Sequence, residues 1–208
     1  MKTIAIRRDR LVAPISVLLI CAAAGLVSPA AAQAVALDRD ALARLKAGEV
    51  IVEVTPDPQG AAGLIAAVID IAAPPKVVWS AMTDCERSKR TLPALKVCRV
   101  IEQGPDGRYD VREHVVQWIW PLPAVRSVFR SDYKPFERIE FKLTGGDLKV
   151  MEGEWRLEAL KSGAATRLSY RARITPGWPV PDALVRGALL SDIPNTLTAL
   201  RREATGRE

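Results

Sequence analysis

The chain carries one histidine, His114, and three cysteines, Cys21, Cys85 and Cys98. Histidine titrates near neutrality, so His114 could serve as a general base. It sits in Arg112-Glu113-His114, within a run of strand character. The plain alternative is a strand histidine on a half-polar face. Asp70 and Asp84 could act as acids in a pocket. Asp70 alternates with Ile69 and Ile71, which turns it to the other side of a sheet. Asp84 stands where a helix cap belongs. One His and so few Cys cannot assemble a structural zinc set, and no clustered Asp and Glu offer a carboxylate site. There is no G-x-S-x-G, no P-loop and no G-x-G-x-x-G. The sequence therefore assigns no catalytic residue, no metal and no cofactor.

What remains is apolar chemistry. Trp118, Trp120, Phe129, Tyr133, Phe141, Trp155 and Tyr170 are large enough to line a cavity for a hydrophobic molecule, and equally to fill a core. Strand alternation puts Phe141, Trp155 and Tyr170 on the side that a helix would cover, with Met151 beside Trp155. Phe129 and the helical residues Leu189 and Ile193 complete the candidate lining. Residues 118–123, Trp-Ile-Trp-Pro-Leu-Pro, set two Trp beside two Pro at a strand end. They read either as simple packing or as an exposed rim that guards a cavity mouth and touches a membrane transiently.

These residues need elements to hold them. Residues 37–47 read as a short helix capped by Asp38, and 50–54 as a strand. Pro56 to Gly60 is a turn-rich break. Residues 63–72 form an apolar strand that Pro74-Pro75 stops, and Pro75 suits the first position of a helix. Val77, Val78, Ala81 and Met82 would face inward on that helix, with Trp79 at its edge. A second short helix covers 86–92. Six strand signals follow: 96–103, 108–120, 125–133, 138–144, 148–160 and 166–175. From residue 138 onward they carry one apolar and one charged face, as in an antiparallel sheet wetted on one side. Residues 181–203 then read as one amphipathic helix. Val185, Leu189, Ile193, Leu197 and Leu200 form its stripe and Leu184 and Ala188 widen it, while Arg186, Asp192, Arg201 and Arg202 fall outside. Pro194 gives no N–H to the Leu190 carbonyl, so the helix should bend there or be two. The reading is α+β, with inward faces that are almost wholly apolar.

This order and several strings resemble the START-like (Bet v 1-like) superfamily, in its polyketide cyclase-like and coenzyme Q-binding-like branch. The strings are Ile69 to Pro74 running into Val77-Val78-Trp79, Thr83-Asp84, Leu95 to Ile101, Ile139-Glu140-Phe141, Glu152 to Leu157 and Asp192 to Leu197. The resemblance covers residues 63–204. It implies a helix-grip fold, in which a curved antiparallel sheet wraps around the long C-terminal helix, with two short helices after the first strand. It also implies an apolar cavity between sheet and helix for a lipid, sterol, quinone or polyketide. A minority of such proteins are enzymes. Three functions follow as expectations: a carrier of a hydrophobic small molecule, a cyclase or hydratase on a polyketide-like or steroid-like substrate, and an envelope interaction module with a filled core.

Net charge is +6 over 208 residues. Half of that excess lies in the first 34 residues and the rest is spread without a basic run, which argues against nucleic-acid binding. Residues 1–34 have the plan of an export signal: a basic start, an apolar stretch at 11–27, and small residues at Ala30, Ala32 and Ala34. The expected layout is a cleaved signal at 1–34, a helix-and-strand extension at 35–62 and the main domain at 63–205. The expected location is periplasmic or secreted. Cleavage would leave Cys85 and Cys98, and an oxidising compartment permits a disulfide between them, the alternative being two buried thiols.

Overall fold

Residues 35–57, 63–117 and 123–206 are described by a computed structural model. Eight strands form a single antiparallel sheet in the order β1-β2-β8-β7-β6-β5-β4-β3. They are β1 (Ile51–Thr55), β2 (Gly63–Ile71), β3 (Leu95–Gln103), β4 (Tyr109–Val116), β5 (Val125–Lys134), β6 (Arg138–Gly146), β7 (Leu148–Leu160) and β8 (Ala165–Pro176). Four helices accompany them: α1 (Arg39–Lys46), α2 (Pro75–Thr83), α3 (Cys85–Thr91) and α4 (Asp182–Thr205). The sheet is curved and open, and α4 lies on its concave side: the α+β helix-grip architecture that the sequence predicts.

Local chemistry sets the boundaries. Asp38 Oδ1 accepts the Ala41 N–H at 2.8 Å and starts α1. Pro75 begins α2, where its missing N–H costs nothing. Asp84 closes α2 and caps α3, accepting from the Glu86 and Arg87 amides. Gly206 ends α4 at φ 63°, a conformation in which a side chain would be strained.

Each side of β2 meets a different partner. Ile65, Ala67, Ile69 and Ile71 face α4 and join Val78, Ala81, Leu168, Leu197 and Leu200 in the main core. Ala66 and Val68 face the other way and are covered by Val35, Ala41, Leu45 and Ile51. Residues 35–57 are thus built into the fold, with β1 on the edge of the sheet and α1 over its convex side. Further along that convex side the sheet is charged. Asp70 accepts both Arg167 bonds at 2.8 and 2.9 Å, Glu154 meets Arg171, and Glu152 meets Arg173 at 2.9 Å.

Two inward assignments change. Val77 is 37% exposed, because α2 buries only Val78 and Ala81 fully. In α4 burial is confined to Leu197, Ala199, Leu200 and Ala204. Leu184 is 66% exposed and Ala188 is exposed too. The helix runs unbroken through Pro194 as one element. It approaches β1, β2, α2 and α3 closely, with no comparable approach to β4, β5, β6 or β7 among the described residues. Its amphipathic stripe is therefore long, but only the C-terminal half is fully buried, while Leu189 and Ile193 pack at the border of the main core and Leu189 lies beside Gly63 of β2.

That half is clamped by charge. Glu203 accepts Arg90 at 2.8 and 2.9 Å and Arg87 at 2.8 Å, which ties α4 to α3. The bonds from Arg90, then Arg87, outweigh burial and hold the Glu203 carboxyl down to about 2. A lowered carboxyl pKa stabilises the fold above about pH 4.5, and this is lost as pH falls toward 2. Glu203→Gln should cost about 1–2 kcal/mol at pH 7. Urea unfolding measures it, and an unchanged midpoint would show that the clamp contributes nothing.

Candidate functional site

The candidate lining residues lie side by side on the concave face. Trp155 of β7 pairs in register with Tyr170 of β8, and their rings stack at 4.0 Å. Phe141 of β6 stands opposite Gly153, which pairs with Ala172 on β8. Because residue 153 has no side chain, the Phe141 ring lies across β7 and stacks on Tyr170 at 6.1 Å and 15°. A Cβ on Gly153 would sit 2.8 Å from that ring and 2.1 Å from the Arg171 carbonyl. Phe129 of β5 meets Phe141 edge-on at 6.4 Å, and His114 of β4 meets Phe129 at 4.9 Å and 90°. One ring from each of five adjacent strands thus forms a continuous apolar row.

The row is only partly covered. Tyr170 and Phe129 are buried, whereas Phe141, Met151 and Trp155 are half-buried. On α4, Leu189 and Ile193 are half-buried and pack at the border of the main core. These residues lie toward the N-terminal half of α4, where the helix stands away from β5 and β6. Residues 118–122 of the proposed rim lie outside the described residues. Trp178, before the start of α4, and Leu184, in its first turn, are 41% and 66% exposed.

The far end of the row is polar, against the expectation of an almost wholly apolar interior. On β4 the inward residues are Asp110, Arg112 and His114; on β5, Ser127 and Ser131 flank Phe129. Arg112 donates from Nε to Asp110 at 3.1 Å, and its Nη2 also meets Asp110. Nη2 reaches the Thr83 carbonyl at 3.2 Å and the Tyr133 hydroxyl at 2.9 Å. Tyr133 Oη donates to Asp110 at 2.7 Å. Burial raises the Tyr133 pKa, so the phenol stays protonated. Trp79 closes over this cluster, edge-on to Tyr133 at 5.6 Å. The sequence signal for the cluster was the Asp110-Val111-Arg112 alternation. It went unread because charged residues in a strand ordinarily mark the wet face.

His114 points inward from a strand whose other face carries Val111 and Val115. Its Nε2 is buried with no hydrogen-bond partner among the described residues. Burial first, then the Arg112 charge, pushes its pKa down to about 4, so the imidazole is neutral at pH 7. A neutral imidazole beside a half-open aromatic row can donate one hydrogen bond or accept one. Asp70 and Asp84 stand apart from the row, one paired with Arg167 and the other capping α3. Asp192, read as outside the stripe of α4, is half-buried, and burial raises its pKa. Cys85 of α3 and Cys98 of β3 are bonded, with Cα atoms 5.4 Å apart. They tie the helical cap to the edge strand and take no part in the row. Among the described residues, no group of three His, Cys, Asp or Glu gathers to hold a metal.

A curved antiparallel sheet gripping a C-terminal helix, with aromatic rings along the gripped face, defines a START-like protein. The sequence model for "Polyketide cyclase / dehydrase and lipid transport" matches residues 71–201, and the chain belongs to that family. Solved structures share the fold. A STAR-related lipid transfer protein from Xanthomonas axonopodis is 15% identical with a TM-score of 0.64, covering 75% of this chain and 93% of its own. Human STARD10 is 12% identical with a TM-score of 0.65, covering 86% and 83%. The Zhui aromatase/cyclase from Streptomyces sp. R1128 is 18% identical with a TM-score of 0.55, covering 69% and 91%. No curated protein matches the chain in sequence.

Proposed function

We propose that this protein binds and carries a hydrophobic small molecule, of lipid, quinone or polyketide-like kind, between the sheet and the N-terminal half of α4. The observation that carries the reading is the row of rings left half-covered by its own helix. An apolar surface of that extent is stabilised when a ligand excludes water from it. The polar end supplies orientation, since a hydroxyl or carbonyl of the ligand would satisfy His114 Nε2. The family description and the lipid transfer protein from Xanthomonas support this choice of ligand class. Exposed Trp178 and Leu184 suit transient contact with a membrane during exchange. Export of the mature chain to the periplasm belongs to the same proposal, supported by the basic-then-apolar plan of residues 1–34 and by the Cys85–Cys98 pair.

A cyclase or hydratase is the second reading, favoured by the inward Asp110, Arg112, Tyr133 and His114. Two facts rank it lower. A histidine with a pKa of about 4 is a weak base at neutrality, and Arg112 is already engaged by Asp110, Tyr133 and Thr83. Periplasmic protein, extracted into organic solvent and analysed by mass spectrometry, tests the proposal, with neutral Nile red as the binding probe. A stoichiometric apolar compound, saturable Nile red binding and a mature mass beginning near Gln33 or Val35 are expected. A clean extract without Nile red binding would leave a filled-core module, and a compound converted on incubation would make the protein an enzyme.

A further inference from the structure

A groove of about 480 Å³ opens at the opposite end of the sheet from the start of α4. The ends of α1, β2 and β7 meet the last turns of α4 there. Its floor is apolar, with the accessible Ala72 and Leu160 among its residues, and its rim carries Lys46, Lys161, Arg201 and Arg202. Elsewhere the arginines of this protein mostly end on carboxylates, from Arg44 with Glu49 to Arg173 with Asp57. These four cations have no carboxylate partner among the described residues. Arg201 donates only to the Gly48 carbonyl, at 2.7 Å. The groove's own carboxylate, Asp70, has both oxygens engaged by Arg167. Carbonyl ends of α1 and α4 lie nearby and ease the repulsion among the cations, but supply no anion.

We propose that this groove is a second ligand site, separate from the aromatic row, for an amphiphile bearing a phosphate or carboxylate group. The apolar body lies on the floor and the anionic group sits among Lys46, Lys161, Arg201 and Arg202. Four cations on the rim of one concave site attract and hold such a group better than scattered surface charges do. The volume suits a small ligand of this kind. The anion can come from a free amphiphile or from the headgroup of an anionic membrane lipid.

Hexyl phosphate and vesicles containing phosphatidylglycerol separate the two sources. Titration of hexyl phosphate into purified protein should be saturable and should shift the amides of Lys46, Lys161, Arg201 and Arg202 in NMR spectra, whereas hexanol should not. The double variant Lys161→Gln/Arg202→Gln should weaken it about tenfold or more. Arg39→Gln, which removes an arginine outside the groove, should leave it unchanged. Binding of the vesicles alone, lost in the double variant, would assign the membrane headgroup. No saturable binding of either probe, or equal binding by wild type and double variant, overturns the proposal. Nile red binding reads the aromatic row separately, so either site can fail without the other.

Discussion

Arg112→Met is expected to destabilise the fold by about 3–5 kcal/mol, because it leaves Asp110 charged and buried without its partner. Side chains of both residues are only 6% exposed. In water each charge would be well solvated; here Asp110 depends on Arg112 and the Tyr133 hydroxyl. Removing both charges removes the problem, so Asp110→Leu/Arg112→Met should recover most of the loss. Tyr133→Phe, which deletes one bond to each member, should cost only about 1–2 kcal/mol. Urea denaturation of the three variants at pH 7 gives the comparison, with the slope checked for constancy. A double variant as unstable as Arg112→Met would show that the polar cluster is needed for packing rather than for charge balance.

The second large effect concerns pH. His114 has a pKa of about 4 in the fold, against about 6.5 for a free histidine. Protonation is therefore disfavoured in the folded state. The stability that follows is complete above about pH 6.5 and is lost as pH falls through the window to about 4. Its size is on the order of 3 kcal/mol. His114→Leu should remove this part of the pH dependence while other carboxylate effects, such as that of Glu203, persist. The difference in unfolding free energy between wild type and His114→Leu, followed from pH 7 to pH 4, isolates it. A constant difference would mean that the imidazole titrates normally, which burial of Nε2 argues against. A ligand that hydrogen-bonds the neutral ring would keep its affinity over this window and lose it only as pH falls below about 4.

Much of the fold was legible because local rules and burial agreed. In β7 and β8 the apolar set Met151, Trp155 and Leu157 opposes Ile174, Tyr170 and Leu168, and the charged sets pair across the convex face. Period two is then enough to name the covered side, and Phe141, Trp155 and Tyr170 followed from it. Asp84 as a cap, Pro75 as a helix start and Asp70 turned outward were legible for the same reason. The rule misleads in β4. Val111 and Val115 alternate with Asp110, Arg112 and His114, so hydropathy alone points the valines inward, yet the polar set faces α2 and Phe129. Partners from distant segments, Thr83 and Tyr133, make that burial tolerable, and no local pattern announces them.

What the sequence determined by itself was the list of elements, their faces over most of the sheet, and the need for a long apolar cover. Those depend on periodicity, capping and turn chemistry within a few residues. Tertiary structure alone decided how far the cover reaches. The stripe from Val185 to Leu200 looks uniform as a helix, but only its second half is fully buried, while Leu189 and Ile193 stay half-buried at the border of the main core. Sheet curvature and the Glu203 clamp set that distance, and both are products of contacts between residues far apart in the chain. The half-covered rings, the inward charge cluster and the basic groove all follow from those long-range placements.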